Sequence, residues 1–152
     1  MRDREAINRF AAFSLVGWEK YTSGDMDVFL AEGLKRLAKC SETERDALRE
    51  KFDAAMTLNS KIFGRHAFRK SLVSEFPVAR SVINISLFEV TSVVLASHMD
   101  RLSYHDTDLF RRIIVDLVED EEFISAITYS TNSTQAVRRR FRLFEKALEF
   151  LT

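Results

Sequence analysis

The sequence predicts an all-α fold, a single domain over residues 1–152 built as a bundle of six to seven helices. Three observations point there. Gly and Pro number only 4 and 1 in 152 residues, so the chain has few breakers and its elements must be long. A sandwich or barrel would need a turn signal every ~8–12 residues. Apolar residues recur instead at three- and four-residue spacing, the period of an amphipathic helix. Hydrophobic residues make up 46% of the chain, 13 of them Phe. A chain of this length buries roughly 70% of its unfolded surface, so a sizeable, aromatic-rich core is expected.

The first helix is predicted over 3–21, with Ile7, Phe10, Ala11, Ser14, Trp18 and Tyr21 on one face. Phe13, Leu15 and Val16 fall on other faces, which marks a central helix. Thr22-Ser23-Gly24 ends it, and Asp25 is placed to cap the next. The second helix is predicted over 26–39, with Met26, Phe29, Leu30, Leu34 and Leu37 inward. Ser41-Glu42-Thr43-Glu44 has the pattern of a capping box and starts the third helix, which runs to about residue 60. Gly64 falls where a helix end needs a left-handed residue.

Residues 65–80 are the least regular, with a break before Pro77 and room for a short helix over 67–74. The fourth helix is predicted over 80–98 and is the most apolar, so it should be the buried centre of the bundle. Asp106 or Thr107 caps the fifth helix, with Leu109, Phe110, Ile113, Ile114 and Leu117 inward. Residues 119–122 break the pattern before a short helix over 123–127. Thr131-Asn132-Ser133 caps a last helix whose stripe is Val137, Phe141, Phe144, Leu148 and Leu151.

Charge narrows the partners. With 23 basic and 23 acidic residues the net charge is zero, so any nucleic-acid signal must be local. The lone Cys40 excludes an internal disulfide and a multi-cysteine zinc site and fits a reducing, cytoplasmic setting. Residues 82–95 are the longest apolar-rich segment, but they are too short and too polar to span a bilayer. No signal peptide is read at the N-terminus.

The sharpest local charge is Arg138, Arg139, Arg140 and Arg142, four guanidiniums in five residues. Arg grips phosphate oxygens in pairs, and Asn132 adds an amide beside the same helix start. The competing reading is a solvated helix face balanced by Glu145, Glu149 and residues 119–122. A second motif runs through Ile62, Phe63, Gly64, Ala67, Phe68 and Arg69. There Arg69 either projects into a groove or pairs with an acid such as Glu89, which needs a partner in so apolar a helix.

His66, His98 and His105 are not at metal-binding spacing. His98 and His105 share a loop with Asp100, Asp106 and Asp108, which leaves a metal-dependent enzyme as the weakest reading. No nucleophile elbow, phosphate loop or dinucleotide fingerprint occurs. No cofactor is expected.

The ordered motifs resemble one family. They are 1–13, Gly24-Asp25-Met26-Asp27-Val28-Phe29-Leu30, Ile62 to Arg69, Ile83 to Glu89, Phe123, and Thr131-Asn132-Ser133 ahead of Arg138-Arg139-Arg140-Phe141. Together they look like the C-terminal helical half of the GmrSD-type, ParB/sulfiredoxin-like nucleases of bacterial restriction and anti-phage systems. The resemblance covers 1–150. That family carries its chemistry upstream, around an Asp-Gly-Gln-Gln-Arg motif, and in a His-Asn-His nuclease domain; neither occurs here. The resemblance therefore implies a non-catalytic helical module that packs against a ParB-like nuclease domain or subunit, in defence against foreign DNA. Thr131, Asn132 and an Arg of the basic run match the family pattern. The expected nucleic-acid contacts are Arg138, Arg139, Arg140, Arg142, Asn132 and Arg69, with DNA as the ligand. The alternative is a purely structural or oligomerising helical domain without a ligand.

Overall fold

The computed structural model describes residues 2–74, 78–99 and 107–149. Among them the architecture is all-α, with seven helices: α1 (Arg2–Val16), α2 (Met26–Lys39), α3 (Glu42–Phe63), α4 (Ile85–His98), α5 (Thr107–Glu119), α6 (Glu121–Ala126) and α7 (Thr134–Leu148). No α-helix is long and apolar enough to cross a membrane among the described residues. The predicted break at Pro77, the Asp106 cap and Leu151 lie outside the described residues.

Local chemistry places most helix starts. Asp25 accepts from the Val28 N–H at 3.1 Å, Asp120 from Phe123 at 2.8 Å and Ser133 from Ala136 at 3.1 Å. Each satisfies a donor that the first turn leaves free. The Ser41–Glu44 capping box forms in both directions. α3 runs one turn past its expected end and stops where Gly64 turns left-handed (φ 50°).

Three further helices differ from their sequence reading: α6 starts at Glu121 rather than at 123, because Asp120 caps it, and α1 and α4 depart more. α1 ends at Val16 rather than Tyr21, because Gly17 takes φ 91°, a conformation a side chain resists. A 3₁₀ turn, Trp18–Lys20, then reorients the chain and carries Tyr21 into the core. The buried residues of α1 are consequently Arg9, Phe10, Ala11, Ala12 and Phe13, while Ile7 and Ser14 are exposed. α4 begins at Ile85 rather than Arg80, because Asn84 caps it by accepting from the Leu87 N–H at 2.9 Å. Leu34 of α2, expected inward, is also exposed. Between α3 and α4 the described residues make two 3₁₀ turns, Gly64–His66 and Lys70–Val73, and an isolated antiparallel bridge between Arg69 and Ile83.

The core is one contiguous cluster with residues from all seven helices. α4 is its axis: residues 86–96 are buried without interruption, and it packs against α1, α3 and α7. Phe13 links three elements, lying 4.7 Å from the Phe29 ring and 4.9 Å from the Phe141 ring. α1 and α2 approach closely at Gly33, where the helix backbone rests on Ala12.

Candidate functional site: a buried Arg–Glu–Arg network

Burying α4 on all sides puts the Glu89 carboxylate in the middle of the bundle, at 0% exposure. An isolated buried charge of this kind is costly, so it must be paired. Two guanidiniums meet it from opposite sides. From α7, Arg140 donates its Nε to Glu89 Oε1 at 2.8 Å, and its Nη2 donates to the same oxygen. From α1, Arg9 donates Nη1 to Glu89 Oε2 at 2.8 Å. These three residues are separated by 80 and 51 positions in sequence.

The remaining valences are filled by the chain itself. Arg140 Nη1 donates to the carbonyls of Thr131 at 2.6 Å and Ala126 at 3.3 Å. Arg9 donates its Nε to Glu5 at 3.0 Å and its Nη2 to Asn132 Oδ1 at 3.3 Å. Tyr21 closes the network by donating its hydroxyl to the Asn132 carbonyl. Burial opposes the charge on Arg9. The Glu89 carboxylate, with hydrogen bonds to Glu89 and Glu5, outweighs that opposition and holds its pKa above the ordinary guanidinium value. Burial, then the nearby Glu89 charge, raises the Tyr21 phenol, so it remains a donor. With two acids matched to two bases and every guanidinium edge committed, the network ties the α6–α7 turn and α1 to the central helix.

This arrangement redistributes the residues singled out in sequence. Arg140 is not on the exposed basic face: it is 0% exposed and wholly engaged. Its spacing held the signal, since it lies three residues after Val137 and four before Phe144 and so falls on the buried stripe. Arg69 is not the partner of Glu89. It donates to the Ser81 carbonyl and lines a surface groove. Asn132 stays exposed as a residue, but its Oδ1 serves Arg9. Arg138 is half-buried and donates Nη2 to the Glu19 carbonyl at 3.0 Å.

The basic face that remains is Arg139, half-buried, and Arg142, exposed. Lys146, exposed and four residues beyond Arg142, extends the same side of α7. Sequence reasoning overlooked Lys146, although its position seven residues after Arg139 marks it. Arg9 was overlooked as well, because it sits among charged residues near the start of α1.

His98 Nδ1 lies 2.9 Å from the Val94 carbonyl and His66 Nδ1 2.9 Å from Ser71 Oγ. His105, Asp100 and Asp106 lie outside the described residues. Among the described residues no three His, Cys, Asp or Glu are grouped to hold a metal. Cys40 is a half-buried free thiol at the end of α2. Comparison with protein-family models, with curated proteins and with solved structures returned no match to this chain.

Proposed function

We propose that this chain is a non-catalytic helical module of a GmrSD-like DNA-defence nuclease, working in the cytoplasm. It packs against a ParB-like catalytic domain or subunit and holds nucleic-acid phosphates along α7. One observation carries the reading. Residues from four separated motifs of the resemblance, Arg9, Glu89, Thr131-Asn132 and Arg140, meet in a single network. Motifs that share a structural task explain why they occur together in this order. The network's hydrogen-bonding groups are spent inside the protein, which supports a scaffolding role for it rather than bond-making. Phosphate contact then falls to Arg139, Arg142 and Lys146, whose charge faces outward on one side of α7.

The test is fluorescence-anisotropy binding to duplex DNA over a salt series. The expected result is affinity that falls steeply with salt, because phosphate neutralisation releases counterions. Replacing Arg139, Arg142 and Lys146 with Glu should abolish binding while leaving the helical circular dichroism unchanged. A folded protein that binds no DNA at low salt would sink the phosphate role. The alternative, a structural or oligomerising domain, draws on a separate observation: a groove with exposed Ile and Val at its edge.

A further inference from the structure

The turn between α1 and α2 runs along α7, and three contacts fix its direction. Trp18 stacks on Phe141 and donates its indole N–H to Glu145 at 3.0 Å. One residue on, the Glu19 carbonyl accepts from Arg138 Nη2 at 3.0 Å. Beyond it, the Thr22 carbonyl accepts from the Thr134 hydroxyl at 3.3 Å. As the chain advances from 18 to 22, its partners step back from 145 to 134, so the turn lies antiparallel to α7. Lys20 falls between the last two contacts, level with the first turn of the helix.

The neighbours of Lys20 turn elsewhere. Tyr21 enters the core at 0% exposure. The Glu19 carboxylate folds back over Gly17, where its Oε2 would stand 3.0 Å from an added Cβ. Arg138 Nε is buried without a hydrogen-bond partner, so this guanidinium is turned into the junction rather than outward. Lys20 is exposed and, like Arg139, Arg142 and Lys146, makes no ion pair among the described residues. The three α7 cations recur at three- and four-residue spacing on one side of the helix and span about 10 Å. Lys20 extends this row by about one turn toward the helix start, giving four cations over about 15 Å. One strand of duplex DNA presents a phosphate every ~3.4 Å of axis, so a row of this length faces about four of them. We propose that Lys20 is a fourth phosphate contact of the α7 face, and that Arg138 positions it by holding the Glu19 carbonyl instead of touching DNA itself. This contact rests on the DNA reading of α7 given above.

The experiment is fluorescence anisotropy of a labelled mixed-sequence DNA duplex over a salt series, with the full chain and its variants. The slope of log affinity against log salt falls by about 0.9 for each phosphate contact removed. Lys20→Ala should lower it by about that much and weaken binding several-fold at low salt, as Arg142→Ala does, and Lys20→Arg should preserve both. Arg49→Ala removes the same charge from α3, beside a groove formed with α1 and α2, and should leave the slope unchanged. Arg138→Ala should weaken binding on its own but add nothing once Lys20 is replaced by Ala. Circular dichroism should be the same for every variant. A chain that binds DNA through α7 yet keeps its full slope in Lys20→Ala overturns the Lys20 contact and leaves the DNA reading standing. A further loss of slope when Arg138→Ala is added to Lys20→Ala overturns the positioning role. A folded wild-type chain that binds no DNA at low salt overturns both the contact and the reading it rests on.

Discussion

Glu89 Oε1 and Arg140 Nε lie 2.8 Å apart where neither side chain reaches solvent. Removing one member of a buried ion group is costlier than never having had it, because the other charge stays buried unpaired. Glu89→Gln, which leaves Arg9 and Arg140 without their shared carboxylate, should lower stability by about 3–5 kcal/mol. Arg140→Lys should be similarly harmful, since one ammonium cannot span Glu89, Thr131 and Ala126 as the planar fork does. Replacing Arg9, Glu89 and Arg140 together with Met, Leu and Met should cost far less than either single change. Urea unfolding measures all three. A Glu89→Gln protein within about 1 kcal/mol of wild type would mean that the network contributes little.

Gly33 sets the distance between α1 and α2. A Cβ there would fall 2.4 Å from the Ala12 Cβ and 2.6 Å from its Cα. Helix propensity alone makes Gly→Ala favourable by about 1 kcal/mol. The obstacle, however, is backbone in a buried crossing, and overpacking of that kind costs about 1–3 kcal/mol. Gly33→Ala should therefore destabilise the protein, with a lowered urea midpoint. An equal or raised midpoint would show that the two helices can part freely.

The capping box at α3 should be visible in a pH titration. The Glu44 carboxylate accepts from the Ser41 backbone N–H at 2.7 Å and from its hydroxyl at 2.9 Å. The backbone bond, then the hydroxyl, hold its pKa below the ordinary 4.5. A depressed carboxylate stabilises the fold above its unfolded-state pKa, and that contribution is lost as pH falls through the folded-state value. The stability gap between wild type and Glu44→Gln should therefore be widest at neutral pH and narrow below 4.5. Ser41→Ala should cost about 0.5–2 kcal/mol at neutral pH. A gap that stays constant on acidification would assign the effect to something other than the charge.

Whether a feature was legible in the sequence depended on the distance over which it acts. Asp25, Ser41 with Glu44, and Ser133 cap helices within three residues of themselves, so their roles follow from spacing alone. The stripe of α7 and the burial of α4 were legible for the same reason. Glu89 could be recognised as needing a partner, but the partner is a tertiary fact. Arg9 and Arg140 reach it from helices far apart in sequence, while the nearer candidate, Arg69, turns to Ser81. The end of α1 was misplaced because Trp18 and Tyr21 keep helical spacing after the helix has stopped. The 3₁₀ turn beyond Gly17 delivers Tyr21 to the core by a different path. The groove was invisible because Val82 and Ile83 read as helix interior until Asn84 is seen to start α4 later.

Trp18, the only tryptophan, gives a direct optical reading of how α7 closes on that turn. Its indole stacks on Phe141 with ring centroids 6.1 Å apart and planes 13° from parallel. Its Nε1–H donates to Glu145 Oε1 at 3.0 Å. One face of the chromophore is thus held by a fully buried ring, and its polar edge is held by an acid on the same helix. Phe141→Ala should cost about 3–5 kcal/mol, because the cavity it leaves adds to the lost transfer energy. In the still-folded variant the emission should shift to the red as water reaches the indole. Glu145→Gln keeps an acceptor for the indole and should leave the emission nearly unchanged. Glu145→Leu removes it and should cost about 0.5–1.5 kcal/mol. An unshifted spectrum in a folded Phe141→Ala protein would mean that α7 does not form the wall behind Trp18, and the packing of α7 on this turn would have to be redrawn.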